Sequence, residues 1–241
     1  MRRFLSVLVG VFFLLGSVVL AEAYIITAQD IFNGGISGVF SSSAGGGSFA
    51  LKPMPGKGDS YYGKDVVGVT HTPGPGGYDV AGEIDLDGES ITITFDKPFI
   101  LSALDIGVLY ANGNYGDKVN EKAKIVVDGV PYYLTGIDGY NADWTGPGSV
   151  TYLSPGLDDY NGLWQISNPF GNTPVSKLEF YAVKQPGAGY DDSNSDFGIY
   201  HQIQGTQVSI PPTILLLGFG LLGFGLLSRR KKVNTQSSQT I

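Results

Sequence analysis

The segment Ser90-Ile91-Thr92-Ile93-Thr94-Phe95 alternates polar and apolar residues without a break, and it constrains the fold more than any other stretch. A period of two puts Ile91, Ile93 and Phe95 on one face of an extended chain, whereas a helix would scatter them around its axis. The β-branched residues lose little freedom in an extended conformation, so composition and period agree. Asp96-Lys97-Pro98 predicts a break, after which Phe99 to Tyr110 resumes as an apolar stretch. Lys122 to Asp128 and Val130 to Thr135 flank Asp128-Gly129, a pair that tolerates the positive φ of a two-residue hairpin turn. Further strands are expected over 148–153, 163–167, 175–183 and 196–203, and no segment sustains a helical period between capping residues. The Gly/Ser-rich stretch 34–58 reads mainly as loop. The expected fold is all-β, an antiparallel β-sandwich of jelly-roll-like type, because two packed layers bury alternating faces economically.

Both ends of the chain read differently. Arg2 and Arg3 precede an apolar run from Phe4 to Leu20, and Ala21-Glu22-Ala23 supplies the small-x-small pattern of a signal-peptidase site. Residues 1–23 are therefore expected to be a signal peptide, with a mature start at Tyr24. At the other end Ser209-Ile210-Pro211-Pro212-Thr213 leads into a Leu/Gly/Phe run ending at Leu227, then Ser228-Arg229-Arg230-Lys231-Lys232. A helix of about 15 residues covers roughly 22 Å, short of the ~30 Å hydrocarbon core; with Ile210 to Ser228 included it just spans. The cations after it predict a cytoplasmic end, and a cleaved signal predicts the same topology. The expected divisions are thus 1–23, a β-domain over 24–208, the segment 209–232 with its transmembrane helix, and a polar tail over 233–241.

Of the 15 Lys and Arg residues, six (Arg2, Arg3, Arg229, Arg230, Lys231 and Lys232) lie at the ends, while 21 of the 22 acids lie within 24–208. That region carries roughly −12 against the −7 of the whole chain, a charge that repels phosphate backbones and speaks against nucleic acid as a partner. The absence of cysteine excludes disulfides and thiolate metal sites.

The C-terminal segment resembles the PEP-CTERM class of bacterial sorting signals: a proline motif, a short Gly/Leu-rich helix and an Arg-rich end. The resemblance covers Val208 to about Lys232, and Ile210-Pro211-Pro212 stands where the family usually has Pro-Glu-Pro. It implies a membrane protease of exosortase type as a partner, cutting near Pro211 and Pro212, and delivery to the cell surface or an extracellular matrix, often one rich in exopolysaccharide. The series 90–95, 101–109, 175–183 and 195–200 also looks like the carbohydrate-binding-module-like sandwiches that precede such tails. That likeness lies in pattern alone and assigns no residue.

Two sites are expected within the domain. The loop Tyr190 to Asp196 offers Asp191, Asp192, Asn194 and Asp196 as hard oxygen ligands for one structural calcium ion, although Asp, Ser and Asn are also ordinary turn formers. Asp158-Asp159-Tyr160-Asn161-Gly162 is a shorter version, and Asp85-Leu86-Asp87-Gly88-Glu89 lacks the spacing of an EF-hand loop, so it reads as a connection between strands. Tyr140, Asn141, Asp143 and Trp144 join flat rings to polar groups, which suits stacking on a sugar, against a plainer role for Trp144 at the rim of the core. Catalytic patterns are wanting. His71 and His201 are the only histidines, no Gly-x-Ser-x-Gly elbow or His-x-x-x-His spacing occurs, and Gly74 to Gly77 lacks the Lys-Ser/Thr ending of a phosphate loop. The expected function is that of an exported, non-catalytic surface or matrix protein that binds exopolysaccharide. The alternatives are a permanently anchored structural envelope protein and a secreted glycan hydrolase working with two carboxylates.

Overall fold

The fold is organised around one long strand. The computed structural model describes residues 21–55, 61–70, 82–86, 88–114, 117–153, 162–187 and 195–208. Of its two compact units, Glu22–Val208 carries the fold; the other, Met1–Ala21 with Ser209–Ile241, lies outside the described residues apart from Ala21. The expected signal and transmembrane helices therefore fall outside them too. Among the described residues no helix is long and apolar enough to cross a membrane.

Chain order gives β1 (Ala23–Thr27), α1 (Ala28–Phe32), β2 (Gly35–Ile36), β3 (Phe40–Gly45), β4 (Ser48–Pro55), β5 (Tyr61–Thr70) and β6 (Ser90–Gly107). There follow β7 (Lys122–Val127), β8 (Val130–Gly136), β9 (Ala142–Trp144), β10 (Ser149–Tyr152), β11 (Trp164–Ser167), β12 (Val175–Ala182) and β13 (Gly198–Gln207). Every strand pair is antiparallel, and the main path runs β4-β5-β13-β6-β12-β7-β8-β9.

The alternating segment forms the first third of β6, with Ile91 and Ile93 fully buried as the period demanded. Each such side chain contributes about 1.5–3 kcal/mol through burial. The break expected at Asp96-Lys97-Pro98 is a change of partners instead. Before it β6 pairs with β3 and β12; after it β6 pairs with β13 and β11. Phe95 to Pro98 are opposed on β12 by Ser176 alone, since the register jumps from Val175↔Phe99 to Lys177↔Thr94. Proline is tolerated because the ladder is already interrupted there. Phe95 and Phe99 stack across the kink with centroids 4.7 Å apart. From Leu104 to Leu109 β6 and its continuation are buried without alternation, being covered on both faces. One core cluster collects side chains from both halves of β6, and a smaller one gathers Val66, Val108, Leu163 and Tyr200.

Asp128 (φ 47°) and Gly129 (φ 89°) make the expected two-residue turn between β7 and β8. Two expectations need correcting. The stretch 34–58 is not mainly loop, for it holds β2, β3 and β4, and β3 pairs with the central strand β6. Its small side chains carry little period, and the partner strand fixes its conformation. The other is the five-residue helix α1, which is too short to show a period. It is set by a capping box in which Thr27 and Asp30 satisfy each other's backbone N–H.

Candidate functional site

The acid surplus does not all face solvent. Glu83, Asp85, Asp117, Glu121 and Asp196 are buried, each at most 5% exposed, an unusual state for carboxyl groups unless they are paired. Three separate chain segments bring them together.

The first segment crosses β5 at Gly68. A Cβ there would lie 2.3 Å from the Glu83 nitrogen and from the Gly82 carbonyl carbon, so only glycine lets the chain pass. Val69 N–H donates to Glu83 O at 2.7 Å, and Ile84 N–H donates to Phe197 O at 2.6 Å. The second bridge sets Glu83 and Asp85 beside the residues that open β13, among them Asp196.

The second segment joins β6 to β7. Val108, buried and β-branched, adopts φ 52°, a strained conformation that turns the chain out of β6. Leu109 then donates its N–H to Gly162 O (3.1 Å) and accepts Trp164 Nε1–H (2.9 Å). Tyr110 N–H donates to the Glu121 carboxylate, and Glu121 N–H returns a bond to Tyr110 O at 3.0 Å. Asp117 is held by backbone bonds to Gly113 (2.8 Å) and Asn114 (2.9 Å).

Asp196 links the groups. Its N–H donates to Glu121 Oε1 at 3.4 Å, and the Ile84–Phe197 bridge sets it beside Glu83, whose charge acts on it. Lys52, on β4, forms an ion pair with Glu83. Burial, followed by the Glu83 charge, pushes the Asp117 carboxyl up to about 7. Burial, followed by the charge of Asp196, raises Glu121 well above the carboxylate range. Asp196 is raised as strongly by burial and then by Glu83. Burial raises Glu83 as well, although Lys52 opposes it. Carboxyl groups this close must share protons or a cation, because bare anions in a low dielectric repel strongly. These acids are enclosed, each at most 5% exposed.

Of the residues expected to bind calcium, Asp196 belongs to this cluster, while Asp191, Asp192 and Asn194 lie outside the described residues. Glu83, Asp117 and Glu121 were not foreseen. The only trace they leave is an acid set among apolar or strand-forming neighbours, as in Glu83-Ile84-Asp85.

The residues expected to face a sugar lie in β9 and in the turn before it. Tyr140 is 63% exposed and meets Tyr152 edge-on at 5.7 Å. Asn141 is exposed, but its side-chain amide donates to both Asp138 oxygens at 3.0 and 2.9 Å. Those contacts, the Asn141 amide first, hold the Asp138 carboxyl below its ordinary range. Asp143 is exposed. Trp144 is half-buried: its ring lies against Tyr132 (5.7 Å) and Phe170 (6.0 Å), and its Nε1–H reaches Pro147 O (2.8 Å) and Pro169 O (3.2 Å). Tyr140 thus offers the exposed ring of the group, and Trp144 serves the rim of the core. Of the expected processing residues, Ala21 and Ala23 are exposed, Ala23 opening β1, whereas Pro211 and Pro212 lie outside the described residues. No protein-family model and no curated protein matches the chain.

Proposed function

We propose that the chain is an exported, non-catalytic surface or extracellular-matrix protein, a sandwich domain released or displayed by its C-terminal tail. The observation that carries this reading is the agreement between the limits of the compact unit and the two junctions in the sequence. The unit Glu22–Val208 begins within two residues of Tyr24 and ends immediately before Ser209. Processing at both junctions leaves the sheet whole. A cut after Ala23 removes one residue from β1, and Tyr24–Thr27 keep their pairing with Gln202–Gly205 of β13. The same pairing sets Ala23 opposite Thr206, so the two ends of the domain leave it side by side. A domain tethered by one end presents its remaining surface outward.

Exopolysaccharide binding is the finer part of this reading. Tyr140, with its exposed ring and with Asn141 and Asp143 beside it, supports a shallow stacking surface rather than an enclosed pocket. Intact mass and cell fractionation in the native host test the first part. A surface or matrix form starting near Tyr24 and ending near Pro211 is expected; an inner-membrane form retaining Arg229 to Ile241 would favour the anchored structural protein. Co-sedimentation with the host's matrix polysaccharide tests the second part. The Tyr140→Ala variant is expected to weaken binding at least several-fold, and equal retention of variant and parent would remove the stacking role.

A further inference from the structure

We infer that Glu83, Asp117, Glu121 and Asp196 form a site for a hard divalent cation, calcium before magnesium, which ties together three connections of the sheet. The inference concerns the folded domain itself and does not depend on export or sugar binding.

The geometry supplies the donors. Four acids, none more than 5% exposed, come from the segment after β5, the β6–β7 connection and the entry to β13. Asp196 donates its N–H to Glu121 Oε1 at 3.4 Å, and the Ile84–Phe197 bridge sets it beside Glu83. Among the described residues Lys52 pairs with Glu83, from a side chain still 35% exposed at the margin of the group.

A second observation points to a missing ligand. Asp117 Oδ2 is buried and has no hydrogen-bond partner among the described residues. A buried carboxylate oxygen left without a partner is costly, so native structures rarely retain one. Asp117 lies on the same β6–β7 connection as Glu121, four residues before it, and interacts electrostatically with Glu83, Glu121 and Asp196. A metal ion satisfies this oxygen and removes the repulsion among the others at once.

The donor chemistry selects the ion. All four ligands are hard oxygens, which favours calcium or magnesium over zinc or copper. Among the described residues no three such groups already stand in a coordinating arrangement, so binding has to draw the carboxyls inward. Calcium accepts six to eight oxygens in flexible geometry, whereas magnesium demands a near-ideal octahedron, so an adaptable set of this kind favours calcium.

The test uses the mature chain, stripped with EGTA and dialysed free of chelator. Calcium chloride at 1 mM is expected to raise the melting temperature by about 3–6 °C, with magnesium chloride giving less. Calorimetric titration with calcium is expected to show one site. Asp117→Asn removes a charge but keeps the shape, so it should fold, and it is expected to bind calcium at least tenfold more weakly. Asp196→Asn is expected to lose the calcium-induced rise, and circular dichroism of both variants shows that they are folded. Absence of any heat or thermal shift in the parent overturns the site. A calcium response undiminished in Asp117→Asn and Asp196→Asn places the ion elsewhere and overturns it equally. A magnesium response as large as that to calcium overturns the choice of ion.

Discussion

Replacing Asp128 tests how a turn residue can hold a distant strand in register. Its carboxylate accepts the N–H of Ser176 at 3.0 and 3.2 Å and that of Lys177 at 2.8 Å, while its own N–H donates to Lys177 O at 3.1 Å. Ser176 is the residue opposed by Phe95 to Pro98 where the β6–β12 register jumps. The carboxylate therefore serves donors at the point where the ladder fails. In Asp128→Ala these N–H groups turn to water, because the site is exposed, and the loss is the net value of charged hydrogen bonds, about 1–2 kcal/mol. Alanine also tolerates the left-handed conformation (φ 47°) less well than aspartate, adding about 1 kcal/mol. The sum, about 2–3 kcal/mol, corresponds to a fall of roughly 4–12 °C in melting temperature for a domain of this size. Asp128→Gly relieves the conformational part and isolates the carboxylate, so about 1–2 kcal/mol should remain. Urea unfolding followed by the fluorescence of Trp164, which is buried, measures all three proteins. If Ala and Gly variants both stay within about 0.5 kcal/mol of the parent, water replaces the carboxylate without loss. The clamp across the bulge would then be structurally idle.

Other substitutions probe the remaining supports. Gly68→Ala should cost about 3 kcal/mol, because the new Cβ meets the backbone of Gly82 and Glu83, which cannot rotate away; thermal unfolding measures it, and a loss below about 1 kcal/mol would refute the close crossing. Phe99→Ala should cost about 3–5 kcal/mol by emptying the stack against Phe95, read by calorimetry. Trp164→Phe keeps most of the apolar area but leaves Leu109 O without its indole donor, so a loss of about 1–3 kcal/mol in urea unfolding, followed by circular dichroism, is expected. Asn141→Ala should raise the Asp138 carboxyl toward its ordinary range in a carbon-detected NMR titration. The sign follows from the depression. The Asp138 carboxylate stabilises the turn above its unfolded range and loses that effect as pH falls through its folded range, and the variant should show a smaller dependence, since the backbone N–H groups of Tyr140 and Asn141 still reach the carboxylate.

The parts of the fold legible in the sequence are those whose cause is local. Ile91, Ile93 and Phe95 announce a buried face through their spacing, and Asp128-Gly129 announces a turn through the conformation it tolerates. Strand β3 has no such signature: Phe40-Ser-Ser-Ser-Ala-Gly45 offers one large side chain, and its extended form follows from pairing with β6. Pro98 illustrates the converse. Its chemistry correctly predicts an interruption in the hydrogen-bond ladder, but the chain continues as one strand because β13 and β11 take over where β3 and β12 leave off.

The candidate site divides along the same line. Trp144 has the composition of a sugar-stacking residue, yet its indole N–H is taken by two carbonyls and its ring by Tyr132 and Phe170, facts set by chain segments 3 to 26 positions away. Asp196 looked like one of four ligands from a single loop, because a loop is what a sequence can display. Its observed partners, Glu121 and Glu83, lie 75 and 113 positions earlier, each an isolated acid with no spacing to mark it. A carboxyl group buried in isolation would be strongly destabilising, so each of these acids is tolerable only because the others, or what they bind, stand opposite it. Such a cluster is a property of the folded topology, in particular of the glycine crossing at Gly68 and the turned backbone at Val108, and no single segment of the chain encodes it.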